Sequence, residues 1–352
     1  MEDRTQLTAI DLFCGCGGLT LGLRRARFKV IAAIDSNELS VETYRKNHRR
    51  TYIVNQDIRS VDANEFMQEL GLQPGELDLL AACPPCQGFS TLRTMNGGRD
   101  PREPLNDLVL ELIRFVHAFL PKAIMIENVP ALMNDHRLHQ IKQVLSESRY
   151  SCKAKILNAE HFGVPQRRRR LVLLGSRFGA ISFPAPQKRR RTVAQAFRHL
   201  PSPNKSDDPV HSYNVRRSNH VLALIRQIPK DGGSRTQLPI DDQLNCHKGF
   251  DGFKDVYGRM AWQKPAPTIT GGCINPSKGR FLHPHENRAI TLREAAVLQG
   301  FPTHYFFDMS RGRYPAAEMI GNAFPPRFAE YHAREIHKHL HPCSPTNVTG
   351  NG

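Results

Sequence analysis

Asp11-Leu12-Phe13-Cys14-Gly15-Cys16-Gly17-Gly18 closes an apolar, β-branched run that begins at Thr8 and leads into an amphipathic stretch from Leu19 to Arg27. A strand, a glycine-rich turn and a helix in that order let backbone N–H groups approach a ligand closely. The turn is a nucleotide-like cradle. It is not the dinucleotide fingerprint, because Gly15 and Gly17 would require Gly or Ala at position 20, and the chain has Thr20. A nicotinamide-dependent oxidoreductase is disfavoured on that ground.

Outward from this turn, short apolar runs alternate with amphipathic stretches through the first 175 residues. Strands are expected at Thr8 to Phe13, Val30 to Ile34, Tyr52 to Val54, Leu77 to Ala82, Ala123 to Ile126 and Leu171 to Leu174. Helices are expected at Leu19 to Arg27, Glu38 to Asn47, Asn64 to Leu70, Leu105 to Leu120 and His136 to Glu147. The pattern is that of a doubly wound α/β sheet, whose ligands sit at the carboxyl ends of the strands. Asp35 ends the second strand, where a ribose diol would be gripped, and Asp57 ends the third, within reach of an adenine edge. Either alone reads as a cap; together with the turn they describe an adenosine-bearing ligand.

The 352 residues include 39% hydrophobic and 23% charged, with 25 Gly and 25 Pro, which excludes collagen-like, wholly disordered and disulfide-scaffold classes. No stretch approaches the ~20 apolar residues of a bilayer span, and Met1 to Gln6 is polar, so a cytoplasmic protein without membrane contact is expected. Eight scattered Cys suit reduced thiols. The net charge is +16, and residues 161–235 hold 16 Lys or Arg against three Asp. Such a concentration of charge points to a polyanionic partner, a solvated basic face being the plainer alternative.

From Phe183 the texture changes to Pro184, Pro186, Pro201, Pro203 and Pro209, the run Lys188 to Arg191, and polar turns. The expected division is a catalytic and cofactor-binding domain over 1–186, completed by 288–340, with a smaller unit over 187–287. Ordered pattern returns with Thr291 as an N-cap and Glu294 three residues later, a capping box, and a last helix is expected from Pro326 to His339. The polar tail, 341–352, is expected to be disordered.

Three further motifs carry chemistry. Cys83-Pro84-Pro85-Cys86-Gln87-Gly88-Phe89-Ser90 reads as a metal half-site, a redox pair, or a stiff loop presenting one nucleophilic thiol. The metal reading lacks a second half and the redox reading lacks the usual helix start, so the nucleophile reading is favoured. Glu127-Asn128-Val129 leaves an apolar strand, where a carboxyl has a raised pKa and suits a general acid; a plain loop carboxylate is the alternative. Gln166-Arg167-Arg168-Arg169-Arg170 enters the strand Leu171 to Leu174, and alternation puts Arg168 and Arg170 on one face.

DLFCGCGG, PPCQGFS, ENV, QRRRR and a terminal GNAFPP stand in the order of the cytosine-C5 DNA methyltransferases, and the chain resembles that family from Thr8 to about His339. The resemblance implies a Rossmann-like class I methyltransferase sheet with a second, smaller target-recognition domain over 187–287. It implies S-adenosylmethionine as cofactor, held by Phe13, Gly15, Gly17, Gly18, Asp35 and Asp57, with Ile58, Pro85, Asn322 and Ala323 lining the same site, and no metal. It makes Cys86 the nucleophile, Glu127 the acid, and Arg168 the support of the base and the Glu. Double-stranded DNA is the implied substrate, met by Gln87, Ser90, Arg170 and Thr268. In the recognition segment Arg216, Arg217, Arg235 and Gln237 are candidates for reading bases.

The implied state is a monomer on DNA, of the bacterial modification type, with a cognate restriction endonuclease as a further partner and the nucleoid as its place. One branch of the family methylates tRNA, and it carries Thr where Ser90 stands here. A catalytically idle DNA-binding homologue is the other alternative, against which Cys86, Glu127 and Arg168 are all intact.

Overall fold

A computed structural model describes residues 6–85, 104–212, 215–243 and 254–341. Seven strands, β1 (Thr8–Leu12), β2 (Lys29–Ile34), β3 (Tyr52–Val54), β4 (Leu79–Ala82), β5 (Ala123–Asn128), β6 (Ser151–Asn158) and β7 (Arg169–Ser176), form one sheet in the order β3-β2-β1-β4-β5-β7-β6. The first five are parallel, and β7 enters antiparallel between β5 and β6. This is the expected doubly wound, Rossmann-like sheet. The interior strands read as continuous apolar runs because both faces are covered. In β4, Leu80 and Ala82 pack in one cluster with Ile10, Phe66 and Phe115, while Leu79 and Ala81 pack in the other with Leu23, Phe162 and Phe328.

Register aligns Leu12 with Ile34 and Ala82, and Ala82 with Ile126. The next residues, Phe13, Asp35 and Cys83, therefore leave the sheet along one edge, level with Glu127 near the end of β5. Because β7 runs the other way, its first residues arrive at that edge: Glu127 pairs with Val172 and Asn128 with Leu171.

Around the sheet lie α1 (Gly18–Arg25), α2 (Glu38–Asn47), α3 (Ala63–Glu69), α4 (Leu112–Phe119) and α5 (His136–Glu147). The helix expected from Leu105 to Leu120 divides into a 3-10 segment, Pro104–Glu111, and α4. β6 escaped the sequence reading; its outward residues include Lys153 and Lys155, the charged pattern of an edge strand.

Beyond β7 the chain adds α6 (Val193–Phe197), α7 (Asn219–Gln227), α8 (Leu292–Gln299), α9 (Arg313–Asn322) and α10 (Pro326–Leu340). The Thr291 and Glu294 capping box opens α8 as expected. α9, absent from the sequence reading, holds Pro315 in its first turn, where a missing N–H costs nothing, and Gly321 near its end. A Cβ at Gly321 would collide with the backbone of Thr270 and Gly271, so tertiary packing overrides the poor propensity.

Val193, Phe197, Met260 and Ile269 share one apolar cluster with Leu292, Ala296 and Ile320, and with Cys16 and Leu39 beside the glycine turn. A separate small cluster holds Leu224, Ile225, Ile228, Val256, Tyr257 and Leu282. Arg259, fully buried, closes it by donating to the carbonyls of Ile225, Ile228, His283 and Glu286 and to Asn287 Oδ1. Of the expected tail, residues 342–352 lie outside the described residues.

α10 packs along α1 and carries His332 into a ring of Phe162, Phe183 and Phe328. Its Nδ1 donates to Phe328 O at 2.8 Å, and its buried Nε2 has no partner. Burial lowers the imidazole from 6.5 to about 4, so it is neutral in the fold. A depressed histidine leaves stability intact above its unfolded pKa and removes it as pH falls from about 6.5 towards 4. His332→Phe, compared with the wild type by urea unfolding at pH 7 and pH 5, is expected to remove about 2 kcal/mol of the acid-induced loss. Equal losses in the two proteins would take His332 out of the acid response.

Candidate active site

Phe13, Gly15 and Gly17 all take positive φ, at 59°, 52° and 90°. A side chain at Gly17 would collide with His48 Nε2, whereas Gly15 has nothing within 4 Å of where its Cβ would stand. Gly15 N donates to Asp35 Oδ2 and Asn37 N to Asp35 Oδ1, both at 2.8 Å. From behind, Tyr305 donates to Cys16 O at 2.6 Å and lies 2.9 Å from His48 Nε2. Burial and the neighbouring Arg24 lower His48 to about 4, so it serves as a neutral prop.

Gly18 touches the last motif, because a Cβ there would meet Phe324 O. Asn322 is exposed and lines a cleft of 440 Å³ with Gly271, Tyr314, Pro315 and Glu318, and Ala323 is half-buried beside it. Asp57 caps the turn Ile58–Ser60 and pairs with Arg59 at 2.6 Å, whose hydrogen bonds hold its carboxyl at about 2; Ile58 is buried in the sheet's core.

Two features show what this turn suits. Asp11 Oδ2 accepts from Thr20 N and Oγ1, while Asp11 Oδ1 is buried with no partner among the described residues, and burial lifts the carboxyl to about 7. Gly15, with nothing among the described residues within 4 Å of where its Cβ would stand, donates its N–H to the half-buried carboxylate of Asp35, which desolvation raises. A concave turn with a carboxylate at the next strand end fits an adenosyl group with a cationic tail.

Gly17→Ala combines a strained φ with a collision, while Gly15→Ala meets only the strain, about 1–2 kcal/mol for a left-handed residue. Gly17→Ala is expected to weaken S-adenosylhomocysteine binding by at least about tenfold and to lower Tm more than Gly15→Ala does. Calorimetric titration and thermal melting check both; the reverse order would contradict the crowding at Gly17.

On the neighbouring strands, Glu127 is 8% exposed and its Oε1 lies 2.9 Å from Arg170 Nε. Burial pushes its carboxyl above the ordinary range, and Arg170 and Arg168 pull the other way. Asn128 Nδ2 donates to Pro84 O at 3.3 Å, tying the exit of β4 to β5. Cys83 and Pro85 are described up to that exit; Cys86, Gln87 and Ser90 lie outside the described residues. Burial, with Glu127 next to it, pushes the Cys83 thiol well above its ordinary value.

Arg167 and Arg169 are exposed while Arg168 is buried and Arg170 half-buried, so Arg168 and Arg170 share the inward face as expected, and both guanidiniums act on the Glu127 carboxyl. Arg168 Nη1 also donates to Ile269 O at 2.9 Å, and Arg170 Nε lies 2.9 Å from Glu127 Oε1. Among the described residues no group of three or more His, Cys, Asp or Glu is placed to hold a metal ion. None of the described helices is long and apolar enough to cross a membrane.

The sequence profile of the C-5 cytosine-specific DNA methylases matches residues 7–338. The chain belongs to that family. The methyltransferase is 33% identical over 349 residues to the Type II methylase M.HgiDII of Herpetosiphon aurantiacus, covering 94% of this chain and 95% of that one. It is also 33% identical over 343 residues to the Type II methyltransferase M1.BsuMI of Bacillus subtilis (strain 168), covering 91% and 78%. Its fold matches the solved Entamoeba histolytica methyltransferase EhMeth with a TM-score of 0.63 at 18% identity, over 96% of this chain and 99% of that one.

The basic segment of the methyltransferase divides its candidates. Arg216 is exposed, and Arg217 donates to Ile274 O at 3.3 Å. Arg235, expected to read bases, is 3% exposed and bonds Gln243 Oε1, so burial turns it inward. Gln237 is exposed but its Oε1 accepts from Ser234 N in a capping box. Thr268 donates its hydroxyl proton to Arg167 O at 2.7 Å, fastening the segment to the start of β7. Sequence reasoning missed His48 and Tyr305, whose partnership spans 257 positions and leaves no local pattern.

Proposed function

We propose that the methyltransferase modifies carbon 5 of a cytosine rotated out of double-stranded DNA, through a transient bond from Cys86 to carbon 6. The observation that carries this reading is the buried Glu127 carboxyl at the sheet edge that also bears the glycine turn and the exit towards Cys86. Carbon 5 of cytosine is a poor nucleophile. Addition of the Cys86 thiolate to carbon 6 moves electron density onto N3, and Glu127, whose carboxyl burial pushes upward, donates a hydrogen bond or proton there in its acid form. Carbon 5 then has the reactivity of an enamine. S-adenosylmethionine bound at the turn supplies the methyl group, carried on a sulfonium. Loss of the carbon 5 proton and departure of the Cys86 thiolate restore the ring.

Phe13, Gly15, Gly17 and Gly18 would shape the cofactor site, with Asp35 on the ribose hydroxyls and Asp57 near the adenine. Ile58, Pro85, Asn322 and Ala323 complete its walls. Arg168 would support the base and Glu127, with Arg170 set against Glu127 Oε1 beside it and reaching the DNA. Rotation of the cytosine out of the duplex costs a few kcal/mol, which contacts from the basic segment over 187–287 offset. Arg216, Arg217 and Thr268 are the proposed contacts there, joined by Gln87 and Ser90 from the Cys86 motif. The Type II names of the relatives support a modification enzyme with a cognate endonuclease, and we propose that it acts as a monomer on cytoplasmic, nucleoid DNA.

Incubation with methyl-labelled S-adenosylmethionine and either unmethylated duplex DNA or tRNA tests the reading. Label is expected in DNA as 5-methylcytosine, and duplex carrying 5-fluorocytosine is expected to trap a covalent adduct. Label in tRNA alone would overturn the DNA substrate, and methylation of DNA without an adduct would overturn the thiol addition.

A further inference from the structure

Gln166 and Gln299 are both wholly buried, 133 positions apart, and bonded to each other. Gln166 Oε1 accepts from Ile269 N at 2.7 Å. Its Nε2 donates to Gln299 Oε1 at 2.7 Å and to Leu298 O at 3.3 Å. Gln299 Nε2 in turn donates to Ile320 O at 2.7 Å and Gly321 O at 3.2 Å.

The chain of amides has one polarity. Because the backbone N–H of Ile269 must find an acceptor, Gln166 presents its oxygen there and its nitrogen to Gln299, which then has only N–H groups left for the carbonyls of α9. Reversing either amide would set N–H against N–H or oxygen against carbonyl. The same two segments also touch directly, through the Cβ-less face of Gly321 against Thr270 and Gly271. On the other side, Ile269 O is held by Arg168, and Arg167 N donates to Ala266 O at 2.9 Å.

We propose, resting on the methyl-transfer reading above, that Gln166 and Gln299 are positioning residues that lock the Ala266–Thr270 segment to the Ile320–Ala323 turn, so that cofactor and DNA favour each other's binding. One segment contains Thr268, proposed to meet the DNA backbone, and the other ends in Asn322 and Ala323 at the proposed cofactor site. Neither glutamine reaches a ligand; each acts through the carbonyls and N–H groups it holds.

The test is the affinity of the full chain for S-adenosylhomocysteine, titrated with and without PCR-amplified unmethylated duplex DNA. The wild type is expected to bind the nucleoside at least about fivefold more tightly with DNA present. Gln299→Met, matched in length but unable to bond, is expected to bring that ratio to near one while keeping binding to each ligand alone within about threefold. Gln166→Met breaks the chain at its other link, leaves the bonds of Gln299 to α9 in place, and is expected to give the same fall. A wild-type ratio of one, or a wild-type-like ratio in whichever variant remains folded by thermal melting, overturns the proposal. Failure of the wild type to bind S-adenosylhomocysteine at all would instead overturn the functional reading, so the two failures are distinct.

Discussion

Cys86→Ser is expected to lower methyl transfer by at least about a thousandfold while binding to duplex DNA stays within about threefold of wild type. An alcohol ionises far less readily than a thiol, so almost no nucleophile is present at neutral pH, and the softer sulfur is also the better partner for an addition that must reverse. The surroundings of the loop exit are untouched by the change. Pro84 remains held through Asn128, and the arginines proposed to meet DNA are elsewhere in the chain. Transfer of label measured beside an electrophoretic binding assay separates the two effects. Turnover near the wild-type rate would remove Cys86 from its role, and parallel loss of binding would mean the loop itself had been rebuilt.

Glu127→Gln should cost about 10²–10³ in kcat. The amide keeps the size of the carboxyl and can still donate a hydrogen bond, but it cannot deliver a proton or carry charge. The wild-type carboxyl is raised by burial, and the acid form is the one needed. Activity that needs the acid form declines as pH rises through that elevated value, and the variant is expected to lose this dependence while keeping the rise that reports thiolate formation. Rate–pH profiles of the two proteins check the sign. At pH above that value the variant also leaves Arg170 beside a neutral group where the wild type has a carboxylate, so some loss of thermal stability is expected there. An unchanged profile with unchanged kcat would leave Glu127 as structure alone.

Much of the central sheet was legible in the chain because each interior strand is buried on both faces and so reads as an unbroken apolar run. β3, α2 and α5 keep the expected bounds, and the Thr291 cap stands where its spacing to Glu294 put it. β6 was harder to see, since an edge strand carries Lys153 and Lys155 within its alternation. α9 was invisible, because Pro315 and Gly321 argue against a helix until the backbone of Thr270 and Gly271 is brought against it.

At the site, the order of motifs named the groups but not their pairing. Local alternation placed Arg168 and Arg170 inward together, with Arg167 and Arg169 exposed, but that Arg168 also reaches Ile269 O while Arg170 lies against Glu127 Oε1 was not written in it. Apolar period, cap spacing and glycine placement are set by forces acting within a few residues, so the primary structure alone determined the sheet, its ligand-bearing edge and the chemical kinds of group upon it. Which buried polar atom meets which is decided by hydrogen bonds closing across 100 positions or more, as between Arg168 and Ile269 or Gln166 and Gln299, and those exist only once the core has packed.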